Sequence, residues 1–220
     1  MKEVNSYGWK AVIGSSIGYA MDGFDLLILG FMLSLISGDL GLTTGQAGSL
    51  VTWTLVGAVI GGFIFGTLSD KFGRVRVLTW TIVLFAVFTG LCAFAQGYWD
   101  LLIYRTIAGI GLGGEFGIGM ALAAEAWPAQ HRAKATSYVA IGWQLGVLAA
   151  ALLTPVLLPY IGWRGMFMVG IIPAFVAWFF RAKLHEPEIF VQSKEIKEHS
   201  HTNSFKLLVK DIRTTKTSIG

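Results

Sequence analysis

Two aspartates lie in the middle of a long apolar stretch near the start of this 220-residue chain. The local sequence is Tyr-Ala-Met-Asp-Gly-Phe-Asp, with the carboxylates at Asp22 and Asp25. In a helix, this spacing places both side chains on neighbouring parts of one face. Close carboxylates raise each other's proton affinity, as does burial, so we expect a proton-binding pair. A pair of hydrogen bonds between packed helices stays open as the alternative.

Two more charges, Arg105 and Glu115, interrupt a later apolar stretch. Their separation corresponds to about 15 Å along a helix axis, on nearly the same face. The planar guanidinium of Arg105 suits a substrate carboxylate, and it could instead hold an aspartate of the first stretch ionised. A third interpretation places Arg105 near the membrane surface, with its charge extended into water. Glu115 is a further proton-coupling candidate.

Three further side chains are candidates for substrate contact: Tyr19, Trp143 and Gln144. Tyr19 precedes the aspartate pair by about one helical turn, and the other two lie in the middle of an apolar stretch. Packing against lipid or another helix is an equally good interpretation of Trp143 and Gln144. No nucleophile–base arrangement, metal-ligand spacing or phosphate loop stands out in the sequence. We therefore expect neither an enzyme, nor a cofactor, nor a metal site.

Composition indicates which elements hold these groups. Hydrophobic residues make up 54% of the chain and charged residues 14%, against roughly 25% charge in soluble domains. The apolar residues form continuous blocks of about 20, the length of a membrane-spanning helix, and not the alternating pattern of barrel strands. We predict an all-α membrane protein with six transmembrane helices: Ala11–Ile36, Ala47–Leu68, Val77–Ala95, Leu101–Ala124, Ala135–Leu158 and Met166–Leu184.

Basic residues are distributed unevenly along the chain, whose formal net charge is +4. They concentrate around Lys71–Arg76, after the fourth span and beyond the sixth, whereas the loops 38–45, 96–100 and 159–163 contain no Lys or Arg. By the positive-inside rule, the N-terminus and residues 185–220 are predicted to be cytoplasmic. We expect an integral, multi-pass protein of the cytoplasmic membrane. The charge pattern reflects topology and gives no reason to expect nucleic-acid binding.

Glycines recur every four residues in three of the predicted spans. Small residues at this spacing let two helix backbones approach closely. A nucleotide-binding loop is excluded because the glycine string lies inside a span and follows no strand. The predicted helix-packing residues are Gly62, Gly109, Gly113, Gly117, Gly142 and Gly146.

The loop between the second and third spans reads Gly-Thr-Leu-Ser-Asp-Lys-Phe-Gly-Arg. Its pattern, G-x-L-S-D-K-x-G-R, resembles the loop between helices 2 and 3 of the major facilitator superfamily of secondary transporters. The fourth span is similar to that family's helix 4 motif, L-x-x-x-R-x-x-x-G-x-G, and the next loop matches its E-x-x-P-x-x-x-R pattern. A purely topological role for the loop charges stays open. The resemblance implies a cytoplasmic latch that releases during alternating access, formed by Gly66, Asp70, Lys71, Gly73, Arg74, Glu125 and Arg132.

Two further motifs are similar to particular branches of that superfamily. D-G-F-D in the first span resembles the aromatic-acid and sialic-acid proton symporters, and G-G-E-F-G in the fourth resembles the sialic-acid and related metabolite symporters. The resemblance implies proton-coupled symport of a small organic acid by alternating access. Asp22, Asp25 and Glu115 would couple protons, and Arg105 would bind the substrate carboxylate. A sugar-porter-like facilitator and a truncated six-span product without transport activity are the alternatives.

The implied fold is the N-terminal six-helix half of such a transporter, built as two inverted three-helix repeats. We expect a helix bundle over residues 1–184, a cytoplasmic central loop over 185–216 and the start of a truncated seventh helix at 217–220. The expected partners are protons, a small organic anion, the lipid bilayer and a C-terminal six-helix half.

Overall fold

All of the regular structure in the part of the chain described by the computed structural model, residues 6–181, is helical. The all-α prediction is therefore confirmed for these residues, whereas the predicted central loop 185–216 and seventh helix 217–220 lie outside them. A short 3-10 turn, Ala129–His131, precedes the last helix. The helices are α1 (Ser6–Leu40), α2 (Thr44–Phe72), α3 (Arg74–Cys92), α4 (Tyr98–Glu125) and α5 (Arg132–Arg181).

The fifth helix contains two of the six predicted spans. It has 50 residues, which would make a straight helix of about 75 Å, more than twice the thickness of a bilayer core. The helix breaks at Gly162, which has φ 64° and ψ −179°, a conformation that glycine adopts readily because it has no Cβ. We call residues 132–161 the first arm of α5 and residues 163–181 the second arm.

The two arms run in opposite directions. The first arm packs along α1 in parallel, because Gly142 lies against Ser16 and Gly146 against Ala20. The second arm runs antiparallel to α3: Phe167 packs with Cys92 at the end of α3, whereas Trp178 packs with Ile82 nearer its start. The described chain thus makes six passes.

Local sequence explains where the second and third helices begin. Thr43 and Gln46 form a capping box at the start of α2: the Gln46 N–H donates to Thr43 Oγ1 at 3.3 Å, and the Thr43 N–H donates to Gln46 Oε1 at 2.9 Å. These bonds satisfy amide groups that have no partner inside the helix. Between α2 and α3 there is a single residue, Gly73, with φ 109°. A side chain would be strained at this angle, so the motif glycine makes the tight turn.

Glycines bring the helix backbones together along two lines of contact. A Cβ added at Gly109 would overlap the backbone oxygen of Thr54 in α2, and one at Gly113 would overlap that of Ala58. Substituted Gly142 and Gly146 would overlap backbone oxygens of α1 in the same way. The close approach predicted at these four glycines is therefore present.

Two of the glycine predictions need correction. On α2, the glycines in closest contact with α4 are Gly57 and Gly61. The predicted Gly62 lies one position after Gly61, and a Cβ added to it would make only an ordinary 3.4 Å contact with the Gly113 oxygen. The prediction for Gly117 is wrong: among the described residues, nothing lies within 4 Å of a Cβ added there. The four-residue period gives the spacing of a contact line, but it does not fix which side of the helix meets a neighbour.

Much of the surface is apolar. Phe63 and Val59 of α2 are 77% and 75% exposed, and Leu152 in the first arm of α5 is 63% exposed. Such side chains suit contact with lipid or another apolar surface, and five helical segments are long and apolar enough to cross a membrane. The protein is therefore an integral membrane protein, and its polar chemistry lies in the bundle interior and at the helix ends.

Candidate functional site

The largest fully buried side chain in the described structure is that of Arg105, on α4. Its two terminal nitrogens donate to the carboxylate of Asp25 on α1, at 3.0 Å to Oδ1 and 2.7 Å to Oδ2. The Arg105 Nε donates to Thr54 Oγ1 at 3.3 Å, and that hydroxyl donates to the Leu50 carbonyl at 2.7 Å. Two parallel bonds to one carboxylate fix the orientation of the two groups and make the interaction strong. We call Arg105 and Asp25 the buried ion pair.

Two further side chains close around this pair. The ring centroid of Phe167, in the second arm of α5, lies 5.9 Å from Arg105 Cζ. Cys92 of α3 lies close to the Arg105 side chain, and its thiol donates to the Phe88 carbonyl at 3.2 Å. Arg105 therefore contacts α1, α2, α3 and the second arm of α5 at once.

This geometry separates the three interpretations of Arg105. The side chain is 0% exposed and the Asp25 side chain is 1% exposed, so Arg105 does not extend into water at the membrane surface. The structure shows the arrangement in which Arg105 holds an aspartate of the first span. Contact between Arg105 and a substrate stays a prediction, because the bidentate face of the guanidinium is occupied by Asp25.

The other two predicted proton carriers are also buried. Asp22 is 0% exposed and Glu115 is 2% exposed. The ring of Tyr19 packs on that of Phe116 with centroids 5.0 Å apart. The part of α1 that carries Asp22 therefore lies beside the part of α4 that carries Glu115. Among the described residues, three acidic side chains are buried in the bundle interior, and one of them, Asp25, forms the buried ion pair.

Two of the predicted substrate residues lie together in the structure. Tyr19 contacts Trp143 with ring centroids 5.1 Å apart, and with Phe116 these side chains form a three-ring group. Phe116 is 47% exposed, and sequence reasoning missed it, although it directly follows Glu115 in the motif G-G-E-F-G. Gln144, by contrast, is exposed on the first arm of α5, outside this group.

A second arginine lies at the end of the bundle that contains Gly73. Arg74 pairs with Asp70 at 2.7 Å and with Glu125 at 3.1 Å, and it donates to Ser69 Oγ at 2.7 Å. We call Asp70, Arg74 and Glu125 the Gly73-end cluster. It joins the end of α2, the start of α3 and the end of α4. Water reaches it, since the Arg74, Glu125 and Asp70 side chains are 17%, 24% and 60% exposed.

The other residues of the predicted latch are not part of this cluster. Lys71 is exposed, with its Nζ 5.4 Å from the Phe72 ring centroid. Gly66 is partly exposed, and within the described structure a Cβ there would meet nothing within 4 Å. Arg132 is exposed at the start of α5 and joins none of the ion pairs formed among residues 6–181.

A third arginine lies at the opposite end of the bundle. Arg164 donates to Asp39 Oδ2 at 2.5 Å and to the Ala95 carbonyl at 3.2 Å, and Trp163 Nε1 donates to the same Asp39 oxygen at 3.0 Å. The hydrogen bonds from Arg164 and Trp163 lower the pKa of Asp39, which lies beyond the apolar part of α1. We call Asp39, Ala95, Trp163 and Arg164 the Gly162-end cluster. The sequence offered one signal for it: Arg164 directly follows a loop without basic residues.

No group of three or more His, Cys, Asp or Glu side chains within residues 6–181 is placed to hold a metal ion.

The sequence profile described as Major Facilitator Superfamily matches residues 15–218. The chain belongs to the major facilitator superfamily. Members of this family are transporters and not enzymes, and the predicted fold, the N-terminal half of a facilitator, is confirmed. The arrangement of its helices as inverted repeats stays a prediction.

Relatives agree with the branches that the motifs indicated. The chain is 76% identical to a protein of Haemophilus influenzae named as a metabolite transport protein, over 99% of this chain and 55% of that protein. It is 41% identical to a protein of Cupriavidus pinatubonensis named as a 4-methylmuconolactone transporter, over 81% of this chain and 42% of the relative. It is 33% identical to the sialic acid transporter NanX of Escherichia coli, over 88% of this chain and 48% of NanX. The chain thus spans about half the length of the curated relatives it matches.

Solved structures support the fold. The proton:xylose symporter XylE, bound to 6-bromo-6-deoxy-D-glucose, matches with a TM-score of 0.78 and 24% identity, over 89% of this chain and 48% of XylE. At this identity the likeness concerns the fold alone.

Proposed function

We propose that this chain forms the N-terminal six-helix half of a proton-coupled symporter for a small organic acid. In this proposal it pairs with a C-terminal six-helix half and works by alternating access around a site near the bilayer midplane. The observation that carries the proposal is the buried ion pair. Stability alone does not explain a fully buried arginine and aspartate inside a membrane bundle, because intramembrane charges usually mark a transport pathway.

Charge balance explains how the pair couples a proton to an anion. Arg105 and Asp25 together carry no net charge while Asp25 is ionised. A proton on Asp25 removes the negative charge and leaves Arg105 uncompensated in a low-dielectric interior, which is costly. A substrate carboxylate that enters with the proton supplies the missing negative charge, and the planar guanidinium is suited to bind it through two bonds. Proton and substrate each raise the affinity of the other, as reciprocal coupling requires.

Asp22 and Glu115 are the further proton carriers in this proposal. Both are buried, Asp22 on α1 and Glu115 on α4, and two members of the three-ring group, Tyr19 and Phe116, lie on the same two helices. Tyr19, Phe116 and Trp143 offer aromatic faces to the organic part of the substrate, and Gln144 offers an amide further along α5. Relatives named for the transport of sialic acid and 4-methylmuconolactone support an organic acid as the substrate class.

The Gly73-end cluster acts as the cytoplasmic latch in this proposal, since its members are among the motif residues. We place the N-terminus and residues 185–220 in the cytoplasm, with 185–216 as the central loop and 217–220 as the start of the seventh helix. Labelling of a cysteine introduced at Lys71 in intact cells tests this orientation. Reaction with an impermeant reagent applied from outside would reverse it, and the unmodified chain, whose single cysteine Cys92 is buried, is the control.

A chimera provides the decisive experiment. The chain is fused to the C-terminal half of the Haemophilus influenzae relative, with which it shares 76% identity over the matched region. Proteoliposomes with an inward proton gradient are then tested with a panel of labelled organic acids. We expect saturable accumulation that collapses when an uncoupler dissipates the gradient, and no accumulation by residues 1–220 alone.

The variant Asp25→Asn separates coupling from binding. It should abolish gradient-driven accumulation but leave exchange of preloaded substrate, because a permanently neutral side chain cannot release a proton. Asp100→Asn, which alters a surface aspartate near the start of α4, is the control and should accumulate normally. Uptake that ignores the gradient would favour a facilitator, and accumulation by Asp25→Asn would exclude Asp25 as the coupling group.

A further inference from the structure

A line of contacts runs from the Gly162-end cluster to the buried ion pair. Trp163 is 6% exposed and donates to Asp39, and the Arg164 guanidinium lies 4.1 Å from the centroid of the Trp163 ring. Trp163 meets Phe167 edge to face, with centroids 6.1 Å apart and an interplanar angle of 89°. Phe167 is 0% exposed and lies 5.9 Å from Arg105 Cζ. Each step is thus a direct contact of a favourable kind.

We infer that Phe167 is a positioning residue for Arg105, and that Trp163 and Asp39 hold it in place. Phe167 closes the ion-pair site on the side of the second arm of α5, so water and protons do not reach Asp25 from that side. This inference adds to the proposed function a reason why the coupling proton does not leak through the bundle.

The groups around Arg105 explain why one ring can do this. Asp25 faces Arg105 from α1, Thr54 from α2 and Cys92 from α3, so polar atoms surround the guanidinium on three helices. On the fourth side, Phe167 presents an aromatic face, which attracts the cation without competing for its hydrogen bonds. Removal of the ring would leave a hole beside charged groups, and a hole that is both roomy and polar admits water.

The chain contains its own reporter of this opening. Cys92, the single cysteine, is 0% exposed and lies beside Arg105. In the purified chain in detergent micelles, the rate of its modification by a water-soluble maleimide can be followed by mass spectrometry. We expect Phe167→Ala to raise this rate by about tenfold or more, because the hole admits water. Phe167→Leu, which keeps most of the apolar volume, should stay close to the unmodified chain.

Phe175→Ala is the matched control, because Phe175 lies on the same arm but is 67% exposed. An equal increase in that variant, or an unchanged rate in Phe167→Ala, would overturn the inference. Circular dichroism of each variant identifies general unfolding, which would raise the rate in Phe167→Leu as well.

A surface variant tests the same inference with little risk to folding. Asp39→Ala removes the acceptor of Trp163 and Arg164, and we expect a smaller increase in the Cys92 rate than in Phe167→Ala. Asp100→Ala is its control, since Asp100 accepts from the Gln96 N–H at 3.1 Å at the same end of the bundle. Equal rates in the two aspartate variants would show that the Gly162-end cluster does not hold Phe167.

The two proposals can fail separately. If the chimera shows no proton-driven uptake but Cys92 is exposed in Phe167→Ala alone, the proposed function falls and the sealing role of Phe167 stands.

Discussion

Arg105 and Arg74 each bind an aspartate and a hydroxyl, but in opposite surroundings. Arg105 is fully buried on α4 and meets Asp25, whose side chain is 1% exposed. Arg74 lies at the start of α3 and shares its charge between Asp70 and Glu125, which are 60% and 24% exposed. The partners are chemically alike, and the shortest arginine–aspartate distance is 2.7 Å at both sites. Desolvation is the difference between the two sites.

This difference decides what each site can do. In the interior, the loss of one partner leaves a buried charge without compensation, which is strongly destabilising. At the Gly73 end, water replaces a lost partner at little cost, so the cluster can open and close without destabilising the fold. The buried site is suited to coupling and the exposed one to a latch.

The largest effect is expected from Arg105→Met, which leaves the Asp25 carboxylate buried without its partner. Loss of one member of a buried pair costs about 3–5 kcal/mol, which we expect in the free energy of unfolding from SDS titration monitored by circular dichroism. The double variant Arg105→Met/Asp25→Leu should recover much of this loss, because no buried charge remains. A double variant as unstable as the single one would mean that Arg105 contributes through packing and not through charge.

The second largest effect is expected where the backbones of α2 and α4 come into contact. Gly113→Ala places a Cβ on the Ala58 carbonyl and pushes α2 away from α4, at a cost of about 1–3 kcal/mol for overpacking. Gly117→Ala on the same helix meets open space among the described residues, and should change stability by less than about 1 kcal/mol in the favourable direction. Thermal unfolding of the two variants side by side measures this contrast. Equal melting temperatures would show that α2 and α4 do not depend on this approach.

At the Gly73 end, smaller effects are expected. Arg74→Gln removes ion pairs that water already screens, so the loss should be about 1 kcal/mol or less and should shrink as salt is added. Glu125→Gln should cost more than Asp70→Asn, because Glu125 is less exposed. SDS titration at low and high ionic strength tests this. A loss as large as that of Arg105→Met would remove the distinction between the two arginine sites.

The smallest effect is expected at Asp39, which is about half exposed. The bonds from Arg164 and Trp163 lower its pKa in the folded state, so its contribution is present above its ordinary pKa and is lost as the pH falls through the lower, folded value. The stability difference between the unmodified chain and Asp39→Asn should therefore shrink as the pH is lowered below about 4. A difference that grows under acid would contradict this sign. Melting temperatures over a pH series provide the measurement.

The sequence by itself determined the layout of this protein. Six apolar blocks of bilayer length predict the six helical passes, and the motif glycine Gly73 lies at the turn between α2 and α3. The intramembrane charges Asp25 and Arg105 and the loop charges Asp70, Arg74 and Glu125 were also identified from the sequence. These features are local: they follow from hydropathy, from helix length and from the rarity of charged residues inside a membrane.

Only the tertiary structure decided which of these groups meet. The pairing of Arg105 with Asp25, and not with lipid headgroups or solvent, depends on how α1, α2 and α4 face one another. The same is true of the contact glycines Gly57 and Gly61, and of the ring of Phe167 behind the guanidinium. A period of four residues or a lone aromatic in an apolar span is compatible with several helix rotations. The rotation that the chain adopts is fixed by packing between helices distant in sequence, and no local pattern records it.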